Sequence, residues 1–497
     1  MKTLSRIVFA LAAATLEART VTTLNDGWTA NGEPVSLPHC WNVDDGSDGP
    51  SDPGQWRHDS VGGTGYARKC VVYRRELPEA KDRSARRFVR VLAASTHAVV
   101  AADGRRLGEH KGAYTYFTYE LPENAKTLEI AVDNYYDPDV PPICGDYTVF
   151  GGLYRGVELI EAGADEQFVE NDGMFADEME LPADMPKYEL RPDGFYVDGR
   201  KTFLKGVNLH QDRKGKGWAI TEQDEKDDLE LIKAMGANAI RTAHYSRGDR
   251  FYDATDRMGF YVWSEVPLVD GVTPTAAFRE NTLRMAREMV LQNRRHKSIA
   301  FWSVFNELYC MKMPEGRAEP LVRELVALVK SLDPAGRPVV AATCKPEKTE
   351  LNAIPPDGIG FNMYPGWYAL NAEDFDWNIE DWRKTNNRES ICISEYGSGA
   401  ALGHEMPSLD YRPQHNGRLH PAEYQRRHHE TCWRKIQENG HVWGCFVWAM
   451  FDFAADSRTE GAQDGINDKG LVDYDHKSVK PAYEFYKKAW GGEKELK

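Results

Sequence analysis

What most constrains this chain is a series of eight short apolar runs between residues 203 and 448, separated by loops and helical stretches. The clearest is Ser298-Ile-Ala-Phe-Trp-Ser-Val-Phe-Asn-Glu307. It is too short for a core helix, rich in β-branched and aromatic residues, and without polar alternation, which predicts a strand buried on both faces. The others are Phe203–His210, Ala237–His244, Phe260–Glu265, Pro338–Thr343, Gly358–Asn362, Ser390–Glu395 and His441–Trp448. Helical patterns stand between them. One starts at a Thr221 cap with acids in its first turn and closes at Gly236; others cover 247–258, 276–295, 319–332, 421–438 and 482–490. Eight strand-helix units of this kind define a (β/α)8 barrel over residues 201–497, whose functional groups belong at the carboxyl ends of its strands.

Those ends are where the polar residues gather. The first run ends in Asn208 and His210, the second in Arg241 and His244, the third in Glu265, the fourth in Asn306-Glu307. The sixth leads to Asn362 and Tyr364, the seventh to Glu395-Tyr396, the eighth to Trp448. Any one could be a structural cap, and for Glu307 alone a strand-to-loop cap is the plainer alternative. Taken together they form one titratable rim. No H-E-x-x-H zinc motif, phosphate loop, dinucleotide fingerprint or G-x-S-x-G elbow occurs. What remains is a pair of carboxylates, Glu307 and Glu395, on different strands. One protonated and one ionised carboxyl across a barrel mouth suit glycoside hydrolysis, and an aromatic such as Trp448 offers a floor for a sugar ring.

Residues 20–165 read differently. Segments such as Arg87–Leu92, His97–Ala102 and Leu128–Asp133 alternate and are broken by Asp103-Gly104 and Asp137-Pro138, predicting an all-β sandwich. Residues 166–200 are acidic and weakly patterned, a linker ending in a hairpin at Phe195–Gly199. Residues 1–19 carry Lys2, Arg6 and the apolar run Ile7–Leu16 with Ala12-Ala13-Ala14, the pattern of a short signal peptide. That reading places the protein in the periplasm or outside the cell; a helical start of a cytoplasmic protein is the alternative. The formal charge of −15 excludes nucleic acid and anionic membrane surfaces as natural partners. Eight singly scattered cysteines imply free, buried thiols.

Several segments together resemble glycoside hydrolase family 2. They are Gly65-Tyr-Ala-Arg-Lys69, Gly151-Gly-Leu-Tyr-Arg155, Lys205-Gly-Val-Asn-Leu-His210, Arg241-Thr-Ala-His-Tyr245, Ser303-Val-Phe-Asn-Glu307, Asn362-Met-Tyr-Pro-Gly-Trp-Tyr368 and Ile393-Ser-Glu-Tyr-Gly397. The resemblance implies a jelly-roll sugar-binding domain before the barrel and a retaining exo-β-glycosidase acting on a carbohydrate substrate. It implies Glu307 as acid/base, Asn306 on the sugar 2-hydroxyl, Glu395 as nucleophile and Tyr364 bonded to it. His210, His244, Asn362 and Trp448 would line the sugar subsite, and Asp146 would be lent to it by the sandwich. The stretch from Phe451 to Trp490 resembles β-galactosidases, which sets the first expectation of substrate. Asn467 and Lys469 match a carboxylate-reading pair of β-glucuronidases, which is the alternative; a catalytically silent carbohydrate-binding relative is a third reading. Two departures matter. Glu265-Val-Pro267 lacks the histidine of a family magnesium site, so no cofactor is required on this reading, with magnesium or sodium left open. The family's middle immunoglobulin-like domain needs ~100 residues, and positions 166–200 supply 35. Homo-oligomerisation is left open.

Overall fold

A computed structural model describes residues 19–43, 68–82, 84–308, 317–345 and 357–491. The expected signal segment, the glycine-aromatic motif around Tyr66, and Cys310 lie outside those residues.

The amino-terminal part is a sandwich of two antiparallel sheets. One has six strands in the order 33–35, 28–30, 70–76, 127–133, 97–102, 105–111; the other has four, in the order 20–23, 157–162, 86–91, 117–120. Strand alternation sorts their side chains. Val89, Val91, Val157 and Leu159 point into the sandwich core with Val100, Ile130 and Val132, while Phe88 and Ile160 point the other way.

The barrel is closed and parallel, with strands Leu204–Asn208, Ala239–Thr242, Tyr261–Glu265, Ile299–Asn306, Val339–Thr343, Gly358–Asn362, Ile391–Tyr396 and Val442–Val447. Every residue of the fourth strand is buried, as its unbroken apolar run requires. Outward side chains such as Val207, Ile240, Val262, Val304, Ile393 and Val447 join the helices in the largest core. Inside, large and small residues complement each other. A Cβ on Gly206 would lie 2.2 Å from Phe446, and one on Gly360 would lie 2.6 Å from Ser394 and 3.0 Å from Trp263. The helix Phe375–Thr385, between the sixth and seventh strands, is absent from the sequence reading. Its buried Phe375, Ile379 and Trp382 carry the helical spacing, but a 3-10 turn at Ala372–Asp374 and exposed Trp377 obscure it.

The short middle segment covers both neighbours. Phe168 and Phe175 pack on the outer face of the four-stranded sheet against Phe88, with ring centroids 4.6 and 5.2 Å away. Beside them Glu178 accepts two 2.8 Å bonds from Arg90. Residues 188–201 form a three-stranded meander, and its Tyr188 and Phe195 close the floor of the barrel against Leu204, Phe301, Trp443 and Phe446. Without a full intervening domain, the sandwich docks directly on the barrel helix Ala276–Asn293. There Glu288 accepts from Thr115 and Arg284 at 2.6 Å each, with His110 Nε2 at 3.1 Å. Arg287 forks onto Asp172 at 2.6 and 2.9 Å.

Cys40, Cys392, Cys432 and Cys445 are free and buried as expected, and three others depart from that reading. Cys344 is disulfide-bonded, Cys70 is exposed and Cys144 is partly exposed. Cys344 sits just past the fifth strand on the pocket wall.

Candidate active site

The polar ends of the barrel strands converge on a pocket of about 450 Å³. Seven of the eleven residues singled out from sequence line it: Asp146, His244, Asn306, Glu307, Tyr364, Glu395 and Trp448. The other four stand one layer behind. Asn362 Nδ2 donates to Glu307 Oε1 at 2.6 Å, and Asn467 Nδ2 donates to Asp146 Oδ2 at 2.9 Å. His210 stacks on Phe453 with centroids 4.2 Å apart and meets Trp448 edge-on. Lys469 lies with its Nζ 5.4 Å from the ring centre of Tyr368, itself a wall of the pocket.

The centre of the arrangement is Arg241, fully buried inside the barrel. Its Nη1 donates to Glu395 Oε1 at 2.6 Å and to Asn208 Oδ1 at 3.0 Å. Its Nη2 donates to Asn306 Oδ1 at 2.8 Å, and Nε donates to Glu265 Oε1 at 2.8 Å. Arginine's planar fork suits such a role, because it fixes several acceptors at once. Glu265 also accepts from Trp263 and Ser303 at 3.0 Å each and lies 2.9 Å from His244 Nδ1. Burial alone would raise its pKa, but Arg241 and His244 overcome that and hold it down. His244 is thereby oriented, stacked 5.1 Å from Trp448, with Nε2 3.8 Å from Glu395. Arg241 and Glu265 were visible at the strand ends in the sequence, but nothing there marked them as the hub.

The two carboxylates have different surroundings. Glu395 holds Arg241 on one oxygen and accepts from Tyr364 Oη at 2.7 Å on the other. Among the described residues Glu307 accepts from the amide of Asn362, and burial followed by the charges of Glu395 and Asp270 pushes its pKa well above the usual carboxylate range. Its backbone is held at φ 53°, a left-handed conformation uncommon for glutamate and characteristic of functional sites. Glu307 is therefore the carboxyl biased to carry a proton, while Glu395 is the one gripped by a guanidinium and a phenol.

Sequence reasoning missed Asp270, Tyr368, Arg458 and Glu460 in the pocket wall. Arg458 donates to Asp146 through Nε at 2.7 and 2.8 Å and also pairs with Glu460. Asp146 is thus held by the barrel's own arginine. Tyr368 lay in the quoted Asn362–Tyr368 segment; the others sit on loops without periodicity. Among the described residues, one group has metal-ligand spacing, Asp253, Asp256 and His296, before the start of the fourth strand at the opposite end of the barrel. There His296 already lies 2.7 Å from Asp249 and 3.0 Å from Asp256, as an ion-paired imidazole.

A (β/α)8 barrel whose mouth brings two differently partnered carboxyls and a tryptophan into one pocket has the arrangement of a glycoside hydrolase. Residues 188–494 match the domain described as "Glycosyl hydrolases family 2, TIM barrel domain". The chain belongs to that family. It is 31% identical to a β-glucuronidase of Bacteroides fragilis, over 92% of this chain and 78% of that protein. Its fold is similar to the crystal structure of an FMN-binding β-glucuronidase from Facaelibacterium prausnitzii L2-6, with TM-score 0.84 and 27% identity, covering 96% of this chain and 86% of that one. It is also similar to a Bacteroides uniformis β-glucuronidase, with TM-score 0.81 and 25% identity, covering 95% and 70% of the two chains.

Proposed function

We propose that this protein is a retaining exo-β-glucuronidase. The observation that carries the reading is Lys469. Its ammonium is buried, it has no hydrogen-bond partner among the described residues, and it lies behind Tyr368 at the pocket wall. A buried ammonium without a partner is costly. The carboxylate of a glucuronide supplies the missing charge; a galactoside has none to offer. Asn467 Oδ1 accepts from the Lys469 amide at 3.2 Å, which ties the Asn467 side chain to the Lys469 backbone. The galactoside preference expected from the Phe451–Trp490 wording therefore gives way, and the similarity to β-glucuronidases supports the same choice.

In the proposed reaction Glu395 attacks the anomeric carbon while Glu307 gives its proton to the departing glycosidic oxygen. This leaves a glycosyl ester on Glu395. Glu307, now a carboxylate, takes a proton from water, the water oxygen attacks the same carbon, and the ester bond breaks to restore Glu395. Arg241 and Tyr364 receive the carboxylate of Glu395 when it leaves. Asn306, fixed by Arg241, is placed to bond the sugar 2-hydroxyl. A magnesium ion does not fit beside Glu265, whose oxygens are taken by Arg241, Trp263, Ser303 and His244, and no step uses one.

The test is a panel of nitrophenyl β-glycosides on purified protein, with product configuration read by NMR. Hydrolysis of the glucuronide with retention is expected. A wild-type enzyme that cleaves the galactoside better, or releases the inverted sugar, overturns the reading.

A further inference from the structure

The pocket holds more carboxyls than it holds cations. Glu265 and Glu395 share Arg241, while Asp146 and Glu460 share Arg458. Among the described residues Glu307 and Asp270 are left without an ion pair, and both line the same pocket. Asp270 stands on the loop leaving the third strand, 7% exposed. Its place is fixed by backbone bonds rather than by its side chain. The Asn306 amide donates to Leu268 O at 2.9 Å, and the Asp270 amide donates to Asn306 O at 3.0 Å. This short parallel rung ties Asp270 to the residue next to Glu307. From the sandwich side, Cys144 Sγ reaches Val269 O at 3.6 Å and braces the loop.

We propose that Asp270 is a positioning residue for proton transfer: its carboxyl, carried by that rung into the pocket that Glu307 lines, keeps Glu307 protonated until the glycosidic oxygen arrives. The inference rests on Glu307 acting as the acid/base. Like charges held together without a counter-ion resist double ionisation, and the pair then titrates as a unit. Burial, then Asp146 and Glu395, push Asp270 itself to about 8. The groups facing the pair are Glu395 from the seventh strand, Arg241 and His244 from the second, Asn362 and Tyr364 from the sixth, and Asp146 and Tyr147 from the sandwich. Arg241 is already engaged by Glu265 and Glu395, and Arg458, on the same pocket, is engaged by Asp146 and Glu460.

The test is Asp270→Asn. Asn accepts the φ of 58° found at this position as readily as Asp does, so the loop keeps its shape. The measurement is kcat/KM against pH for phenyl and 2,4-dinitrophenyl β-glucuronides, with a melting curve for each protein. The basic limb is expected to move down by about one pH unit. Above that limb phenyl glucuronide hydrolysis then falls ~10-fold, and the loss shrinks for the dinitrophenyl leaving group, which needs little proton assistance. Asp270→Ser repeats the test if the Asn variant melts early. A folded variant with an unmoved basic limb overturns the inference while leaving the glucuronidase reading intact. If the wild type turns over no β-glucuronide, the functional reading fails. The titration of Glu307, followed by carboxyl-carbon NMR in wild type and Asp270→Asn, then decides the inference directly, and equal midpoints overturn it.

Discussion

Replacing Arg241 by Met should both unfold the barrel sooner and silence it. The guanidinium is fully buried and is the counter-charge for Glu265 and Glu395 at 2.8 and 2.6 Å. Methionine fills much of the volume but leaves two carboxylates facing each other in the barrel interior. Breaking a buried ion pair on one side costs ~3–5 kcal/mol. A folding unit the size of this barrel melts with an entropy that makes 1 kcal/mol worth roughly 1.5–2 °C. The melting temperature should therefore fall by about 5–10 °C in differential scanning calorimetry. Adding Glu265→Gln removes one orphaned charge and should recover about half of that loss, a coupling that a double-mutant cycle isolates. Activity should not return with stability, because Glu395 and Asn306 remain without the donor that aims them. A single mutant melting within ~2 °C of wild type, or a double mutant less stable than the single, refutes Arg241 as the electrostatic hub.

Other outcomes follow from the same geometry. Glu307→Gln and Glu395→Gln should each lower kcat for nitrophenyl glucuronide by ~10³-fold or more, and azide should rescue the Glu395 variant as the α-glycosyl azide. Lys469→Met should lower kcat/KM for β-glucuronide by at least ~10²-fold while leaving the melting temperature equal or higher, since it removes a buried charge that makes no hydrogen bond among the described residues and rests against the rings of Trp367 and Tyr368. The docking carboxylate Glu288 is buried, which opposes ionisation, but His110 and Arg284 hold its pKa at about 2. A carboxyl lowered from its ordinary 4.5 contributes stability that is complete above about pH 4.5 and is lost as the pH falls through 2. Glu288→Gln should flatten the acid-side fall of melting temperature in that window.

The barrel was legible because its strands are buried on both faces, so the sequence shows them as uninterrupted apolar runs. Listing what those runs end in was enough to find Glu307, Glu395, Tyr364 and Trp448. Period carries no information about loops, and there the reading stopped. Asp270 owes its position to a rung between residues 268 and 306, and Asp146 meets Arg458 across 312 positions of sequence. The helix Phe375–Thr385 was hidden by its own start, where a 3-10 turn breaks the phase. Residues 166–200 read as a linker because each half covers a different neighbour, so neither face repeats.

The clamp between Asp146 and Arg458 gives the enzyme a built-in gauge of its own assembly. One wall of the pocket is carried by the sandwich, and the arginine that grips it is carried by the barrel. A preparation in which the sandwich has slipped from the helix Ala276–Asn293 would still show a folded barrel by circular dichroism, yet its pocket would stand open on one side. Glycoside turnover is thus a more sensitive reporter of how the two parts are seated than any measure of their separate folding. On mild heating or acidification, activity should fade before secondary structure does.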